Sequence, residues 1–342
     1  MPGYSPFGGG PLIGPPASAI RRGPRGISSV LPALAVALTT LVASAPTVGA
    51  TTPEIILGRP RVGEYQPVRG GGWIAWQQNT RRRPRHYDVF ARPVDGGSKF
   101  RVNAPATNGA NGDIEGDLLV YQQFEQGRSG LRFFDLATRH RSNPPNGINT
   151  EHWEYWPSMS GRWLLFGRLQ ENGTRRVILF DLSTGVAKRL ARVRGEDAFL
   201  APGQVSEDWA VWYRCPSGSP CNVVRYQIST GESYVIANLH GLKHHSPSVD
   251  SDGTVYYALG RGRCGNRVRL IRQPLDGPSE TLWRLPNGDD IGRTHTQVRP
   301  RGNTILYDHF SCDQPAESDA WQLVNWPPSS SERSTRRRVD AG

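Results

Sequence analysis

Three short segments of the chain gather the side chains best suited to chemistry. His152, Trp153, Glu154 and Tyr155 stand together, His244 and His245 are adjacent, and Arg293 lies two residues before His295. Four of the eight histidines fall in these segments. Neutral imidazoles suit a transition metal, so one reading joins His244 or His245 with His295 and His152 in a metal site. The spacing is not that of a metal motif, and no carboxylate pair suited to acid–base work accompanies it. A second reading treats the aromatic and charged groups as contact area for a ligand or a protein partner. A third makes them solvated residues, with the aromatics packed into the fold. The chain has no Gly-x-Ser-x-Gly nucleophile elbow, phosphate-cradling loop, His-Glu-x-x-His or dinucleotide fingerprint. Gly260 to Gly265 resembles a glycine loop, but it joins two strands rather than opening a helix. Accordingly, no catalytic residue, metal or cofactor is expected.

The elements that position these segments are set by an internal repeat. A lone apolar residue, a polar turn and an alternating apolar strand recur, as in Ile114 to Tyr121, Met159 to Phe166 and Val205 to Trp212. The leading residues Val68, Ile114, Met159, Val205, Val249 and Val298 are spaced 44–49 residues apart. Each unit continues into a third strand that ends in a tight turn, such as Asp181-Leu182-Ser183-Thr184-Gly185, and then a short fourth strand. Asp and Gly supply the side-chain hydrogen bond and the positive φ of such turns. Four short strands per period of roughly 40–50 residues predict propeller blades, which bury both sheet faces only by stacking around a closed ring. The expected fold is all-β: a six-bladed β-propeller with four antiparallel strands per blade. The blades span approximately 65–103, 111–143, 156–191, 202–237, 246–286 and 295–326. The last unit lacks an evident fourth strand, and Glu54-Ile55-Ile56-Leu57 is expected to supply it and close the ring. In this arrangement the histidine-bearing segments fall at equivalent positions on one rim, just before the inner strands. Arg81 to His86 forms a further loop on that face. It is read as a solvated charge run, or as a contact for anionic cell-wall polymer or lipid headgroups.

The repeat resembles the TolB-type, WD40-like propeller unit, in which Pro-x-x-Ser-x-x-Gly opens a blade and an Asp-Leu/Val-x-x-Gly turn sits late in it. Trp156-Pro157-Ser158-Met159-Ser160-Gly161 and Ser246-Pro247-Ser248-Val249 carry the resemblance, which extends over about 65–325. The α/β domain that precedes the propeller in the translocation protein has no room here. The resemblance implies a propeller fold rather than a role in translocation. Some propeller lyases of the group carry a histidine site, and this resemblance supports the metal-site reading.

The first 50 residues read as an N-terminal extension followed by a signal peptide. Arg21, Arg22 and Arg25 precede an uncharged apolar run, and Val48-Gly49-Ala50 offers a cleavage site; the competing reading is an uncleaved membrane anchor. Residues 51–326 are assigned to the propeller and 327–342 to a disordered basic tail. Of the net charge of +11, three belong to the leader and two to the tail. Only Lys99, Lys188 and Lys243 are lysines, so the arginine bias is read as a GC-rich genome rather than as a nucleic-acid surface. Four cysteines in an exported chain favour two disulfides. The repeat phase pairs Cys215 with Cys221 across one hairpin loop, and Cys264 with Cys312 between neighbouring blades. The resulting expectation is a secreted or cell-envelope monomer that binds an unknown protein or envelope ligand, with no nucleic acid partner and no membrane contact beyond the leader. The alternative is an enzyme acting on extracellular polysaccharide through the histidine-rich rim.

Overall fold

A computed structural model describes residues 54–57, 62–80, 83–217, 221–239, 242–261, 268–285, 289–297, 303–311 and 318–326. Residues 1–50, read above as extension and leader, and 327–342, read as a tail, lie outside the described residues. Among the described residues all elements are β-strands, beginning with β1 (Glu54–Leu57). The first blade is β2 (Val62–Gly70), β3 (Trp73–Thr80), β4 (Arg83–Pro93) and β5 (Phe100–Arg101). The second is β6 (Asn108–Glu115), β7 (Leu118–Glu125), β8 (Arg128–Asp135) and β9 (His140–Ser142). The third is β10 (Trp153–Ser160), β11 (Trp163–Leu169), β12 (Arg175–Asp181) and β13 (Val186–Val193). The fourth is β14 (Phe199–Ser206), β15 (Trp209–Cys215), β16 (Cys221–Gln227) and β17 (Ser233–Leu239). The fifth is β18 (Leu242–Val249), β19 (Val255–Arg261), β20 (Arg269–Gln273) and β21 (Glu280–Arg284). The remaining strands are β22 (Asp289–Gln297), β23 (Asn303–Ser311) and β24 (Ser318–Trp326).

The expectation of six blades, the last completed by an N-terminal strand, is corrected in its count, while the expected pairing of that strand is present. Five blades are self-contained, each built of four consecutive antiparallel strands. The last three strands do not make a blade by themselves. They form a composite sheet in the order β1-β24-β23-β22, with Glu54 opposite Gln322 and Ile55 opposite Trp321. The reason is visible in the sequence: Pro327, Pro328 and a Ser/Arg-rich stretch follow Trp326, where a fourth strand would be needed.

The core lies between the sheets. Side chains alternate across a strand, and β11 shows the consequence. Leu164 and Phe166 join Val120, Leu131 and Phe133 of the second blade, while Leu165 joins Leu200, Val205 and Trp212 of the fourth. The same sharing links the first two blades through Val89, Val102, Tyr121 and Phe134, and the fifth blade with the composite sheet through Tyr256, Leu270, Ile305 and Tyr307. No sheet could bury both of its faces alone. The inner strands β2, β6, β10, β14, β18 and β22 neighbour one another in that order, and β22 also packs against β2. The approach at the ring is close. A Cβ on Gly203 would lie 2.2 Å from the Pro247 carbonyl oxygen, so a side chain there would force the fourth and fifth blades apart.

Every inner strand carries one register shift, between Tyr65 and Val68, Ala110 and Asp113, Tyr155 and Ser158, Pro202 and Val205, His245 and Ser248, and Ile291 and Thr294. These are β-bulges, which bend a strand without ending it. At two of them a non-glycine residue takes positive φ: Gln66 at 50° and Trp156 at 49°.

Candidate functional site

The two ends of the inner strands present different chemistry. At the starting end, the bulge lets strand pairing continue beyond the turn in the chain. Residues expected in loops are therefore strand residues: Trp153, Glu154 and Tyr155 in β10, His244 and His245 in β18, and Arg293 and His295 in β22. The side chains of His244, His245, Arg293 and His295 lie outside the described residues, so the histidine cluster is represented by His152 alone.

Glu154 is fully buried. Its Oε1 accepts hydrogen bonds from Thr150 Oγ1 at 2.7 Å and from Arg168 Nε at 2.9 Å. Arg168 is itself anchored, donating to the carbonyls of Gly147 and Ile148. Burial raises the Glu154 pKa above the usual carboxylate range, against the opposing pull of Thr150 and Arg168. His152 Nε2 lies 3.2 Å from Gln170 Nε2, whereas its Nδ1 and the Oε2 of Glu154 have no hydrogen-bond partner. The aromatics beside them are structural. The Tyr155 hydroxyl donates to the Leu200 carbonyl at 2.8 Å in the next blade, and burial raises its pKa. Its ring meets Trp156, Trp156 meets Phe199, and Phe199 meets Tyr213, each edge-on or tilted at about 6 Å. Trp153 is half-buried. Of the residues singled out from sequence, the structure brings His152 and Glu154 together through Thr150, whose Oγ1 also accepts the His152 backbone N–H.

The opposite end, where each inner strand turns into the second strand, encloses a depression of about 700 Å³. The first five blades all reach it: Arg69 and Gly70, then Asp113 and Glu115, then Ser160 and Arg162, then Ser206 and Glu207, and finally Ser251. Sequence reasoning missed this site because its Gly, Ser and Asp residues look like ordinary turn formers. Several of its groups are already engaged. Ser158 Oγ donates to Asp113 at 2.6 Å, and Ser160 Oγ accepts the Glu207 backbone N–H at 3.0 Å. Burial works to raise the pKa of Asp208, but hydrogen bonds from Ser229 and Gln227 hold it below the ordinary value. Burial raises the pKa of Glu115, the Gly161 backbone N–H counters it, and the charges of Asp113 and Glu207 reinforce it. The mouth thus mixes cations, carboxylates, hydroxyls and backbone groups, a set suited to holding a polar ligand.

Other expectations concern the edges of the blades. Cys215 and Cys221 form a disulfide across the β15–β16 connection, with Cα atoms 4.1 Å apart. Cys264 and Cys312 lie outside the described residues. In the Arg81–His86 segment, Arg83 onward belongs to β4, and His86 Nε2 lies 3.4 Å from Asp88. Among the described residues no group of three His, Cys, Asp or Glu side chains is placed to hold a metal ion.

Neither a protein-family model nor a curated protein sequence matches the chain. Solved structures do. A putative TolB from Agrobacterium tumefaciens aligns with a TM-score of 0.50 at 14% identity, over 78% of this chain and 91% of its own. TolB from Acinetobacter baumannii aligns at 0.49 and 19% identity, over 74% of this chain and 64% of its own. An oligogalacturonate lyase in complex with manganese aligns at 0.49 and 10% identity, over 82% and 97%. At such identities the likeness is one of fold. The chain is a β-propeller of antiparallel four-stranded blades, similar in fold to the TolB-like propellers.

Proposed function

We propose that the chain is an exported binding module, a monomeric propeller that presents its turn-lined axial mouth to a polar ligand or a protein partner of the cell envelope. The observation that carries this reading is the depression of about 700 Å³ on which turns of five blades converge. In this reading the composite sheet acts as the sixth blade, with β1 as the strand that closes the ring. Residues 51–326 are the propeller, preceded by a leader and followed by a tail. The Cys215–Cys221 disulfide supports an oxidising compartment. The engagement of Glu154 with Arg168, and of Tyr155 with the next blade, supports a binding rather than a catalytic role for the opposite rim. His152, Trp153, His244, His245, Arg293 and His295 then serve as rim contacts, and neither metal nor cofactor is required.

The test uses the purified full chain, titrated with envelope extract. Retention of a discrete partner should be lost in Arg69→Glu and Arg162→Glu and only weakened in His152→Ala. Metal content and turnover of acidic polysaccharides are measured on the same samples. Stoichiometric transition metal that disappears in His152→Ala, together with product formation, would replace the binding module by a histidine-centred enzyme. Retention indifferent to Arg69 and Arg162 would move the site away from the mouth.

A further inference from the structure

A second cavity, of about 500 Å³, lies on the circumference between the outermost strands of the first two blades. It is lined by Phe100 and Arg101 of β5, by Phe134 of β8, and by Arg139, His140 and Arg141 at and after the turn into β9. Its construction is layered. The Phe100 and Phe134 rings stack at 6.0 Å with 27° between their planes. Arg139 lies over the Phe100 ring at 4.6 Å and Arg141 over the Phe134 ring at 5.9 Å. A guanidinium over a ring face is attracted by the ring's quadrupole, which limits its movement. Arg141 is further fixed across the blade boundary, donating from Nε to the Val102 carbonyl at 2.6 Å and from Nη2 to the Asn103 carbonyl at 3.3 Å.

The backbone at Arg139 supplies an independent observation. The turn Asp135-Leu136-Ala137-Thr138-Arg139 repeats in the next two blades as Asp181-Leu182-Ser183-Thr184-Gly185 and Gln227-Ile228-Ser229-Thr230-Gly231. The last residue of each is left-handed, with φ of 58°, 73° and 78° respectively. Glycine takes this conformation without cost, and an arginine does not. The second blade thus keeps a strained arginine at a position where its neighbours use glycine, and that arginine projects into the cavity. Among the described residues neither Arg139 nor Arg141 forms an ion pair with a carboxylate, and Arg101 shares Asp88, at 3.5 Å, with His86.

From this arrangement we infer an oxyanion-binding site between the first two blades, with Arg101, Arg139 and Arg141 as its cationic walls and a sulfate or phosphate group as its ligand. A single carboxylate is satisfied by one guanidinium fork. Three guanidinium groups from separate chain positions match instead the charge and the several acceptor oxygens of a tetrahedral oxyanion. The Phe134 ring is buried and Phe100 half-buried, so the rings hold the arginines rather than present an apolar wedge.

The experiment is calorimetric titration of the full chain, at fixed ionic strength, with inorganic phosphate and separately with inorganic sulfate. Saturable one-site binding is expected. Arg139→Gly should weaken it by about tenfold or more, the scale of one charge-assisted contact, while leaving the melting temperature unchanged or higher, because glycine relieves the backbone. Arg101→Gln should also weaken it, and Arg194→Gln, an exposed arginine outside the cavity, should not. Saturation by phosphate alone assigns the ligand to phosphate esters, and by sulfate alone to sulfated ones; either supports the site. Absence of saturable heat with both anions overturns it. So does full affinity in Arg139→Gly, or an equal loss in Arg194→Gln.

Discussion

Glu154 shows how a residue that reads as functional can be held for structure. The sequence places it among His152, Trp153 and Tyr155, and the pattern is that of a reactive rim. In the fold its carboxylate is enclosed, bonded on one oxygen to Thr150 and Arg168, and left without a partner on the other. Its pKa is raised above the ordinary value of 4.5, chiefly by burial. A raised carboxylate favours the folded state below the unfolded pKa, where both states are protonated and no charge is enclosed. That advantage is lost as pH rises through the folded value, because the native protein must then hold an anion that the unfolded chain leaves in water. Glu154→Gln removes this dependence. Melting curves between pH 4 and 7 should show the variant gaining on the wild type as pH rises from about 4.5; a variant that loses ground to the wild type as pH rises would contradict the assignment. The sequence identified the residue but not its state, because burial depends on Arg168 and Thr150 arriving from other segments.

The bulged inner strand accounts for both the successes and the misses of the sequence reading at the level of elements. The motif residues Pro157 and Ser158, found through their spacing, sit at the bulge. Ser158 Oγ donates to the buried Asp113 of the second blade and accepts the Val205 backbone N–H of the fourth at 3.0 Å. One hydroxyl therefore ties three successive inner strands. Ser158→Ala leaves the Val205 N–H without this acceptor, and a loss of about 1–3 kcal/mol is expected, read from urea unfolding of the full chain. A change below about 0.5 kcal/mol, the scale of a neutral surface substitution, would mean that the tie has no net worth. The period and the turn signals were local and therefore legible. The extension of β10 back to Trp153 was not, because it depends on Trp156 adopting positive φ. The Cys215–Cys221 link was legible because both residues flank one short hairpin loop. The axial mouth was not, because its residues converge only after the blades are stacked.

Across the whole molecule, stability is shared between neighbours. The five larger apolar clusters among the described residues each draw on two sheets, and the composite sheet joins β1 to the C-terminal strands. Removing residues 54–57 should expose the β24 edge and cost on the order of 2–4 kcal/mol, from about 1 kcal/mol for each lost strand hydrogen bond. The truncated chain should melt earlier and scatter light on standing, because an uncovered edge strand invites pairing between chains. An unchanged melting curve would show that β1 is dispensable.

The pairing of Glu54 with Gln322 has a temporal meaning as well. A ribosome adds roughly 5–20 residues per second, so the earliest strand waits on the order of tens of seconds for its partner to be made. Until then the nascent protein is an incomplete arc with both flanks uncovered. Its most vulnerable moment comes before release, and factors that shield unfinished chains have most to offer in that interval.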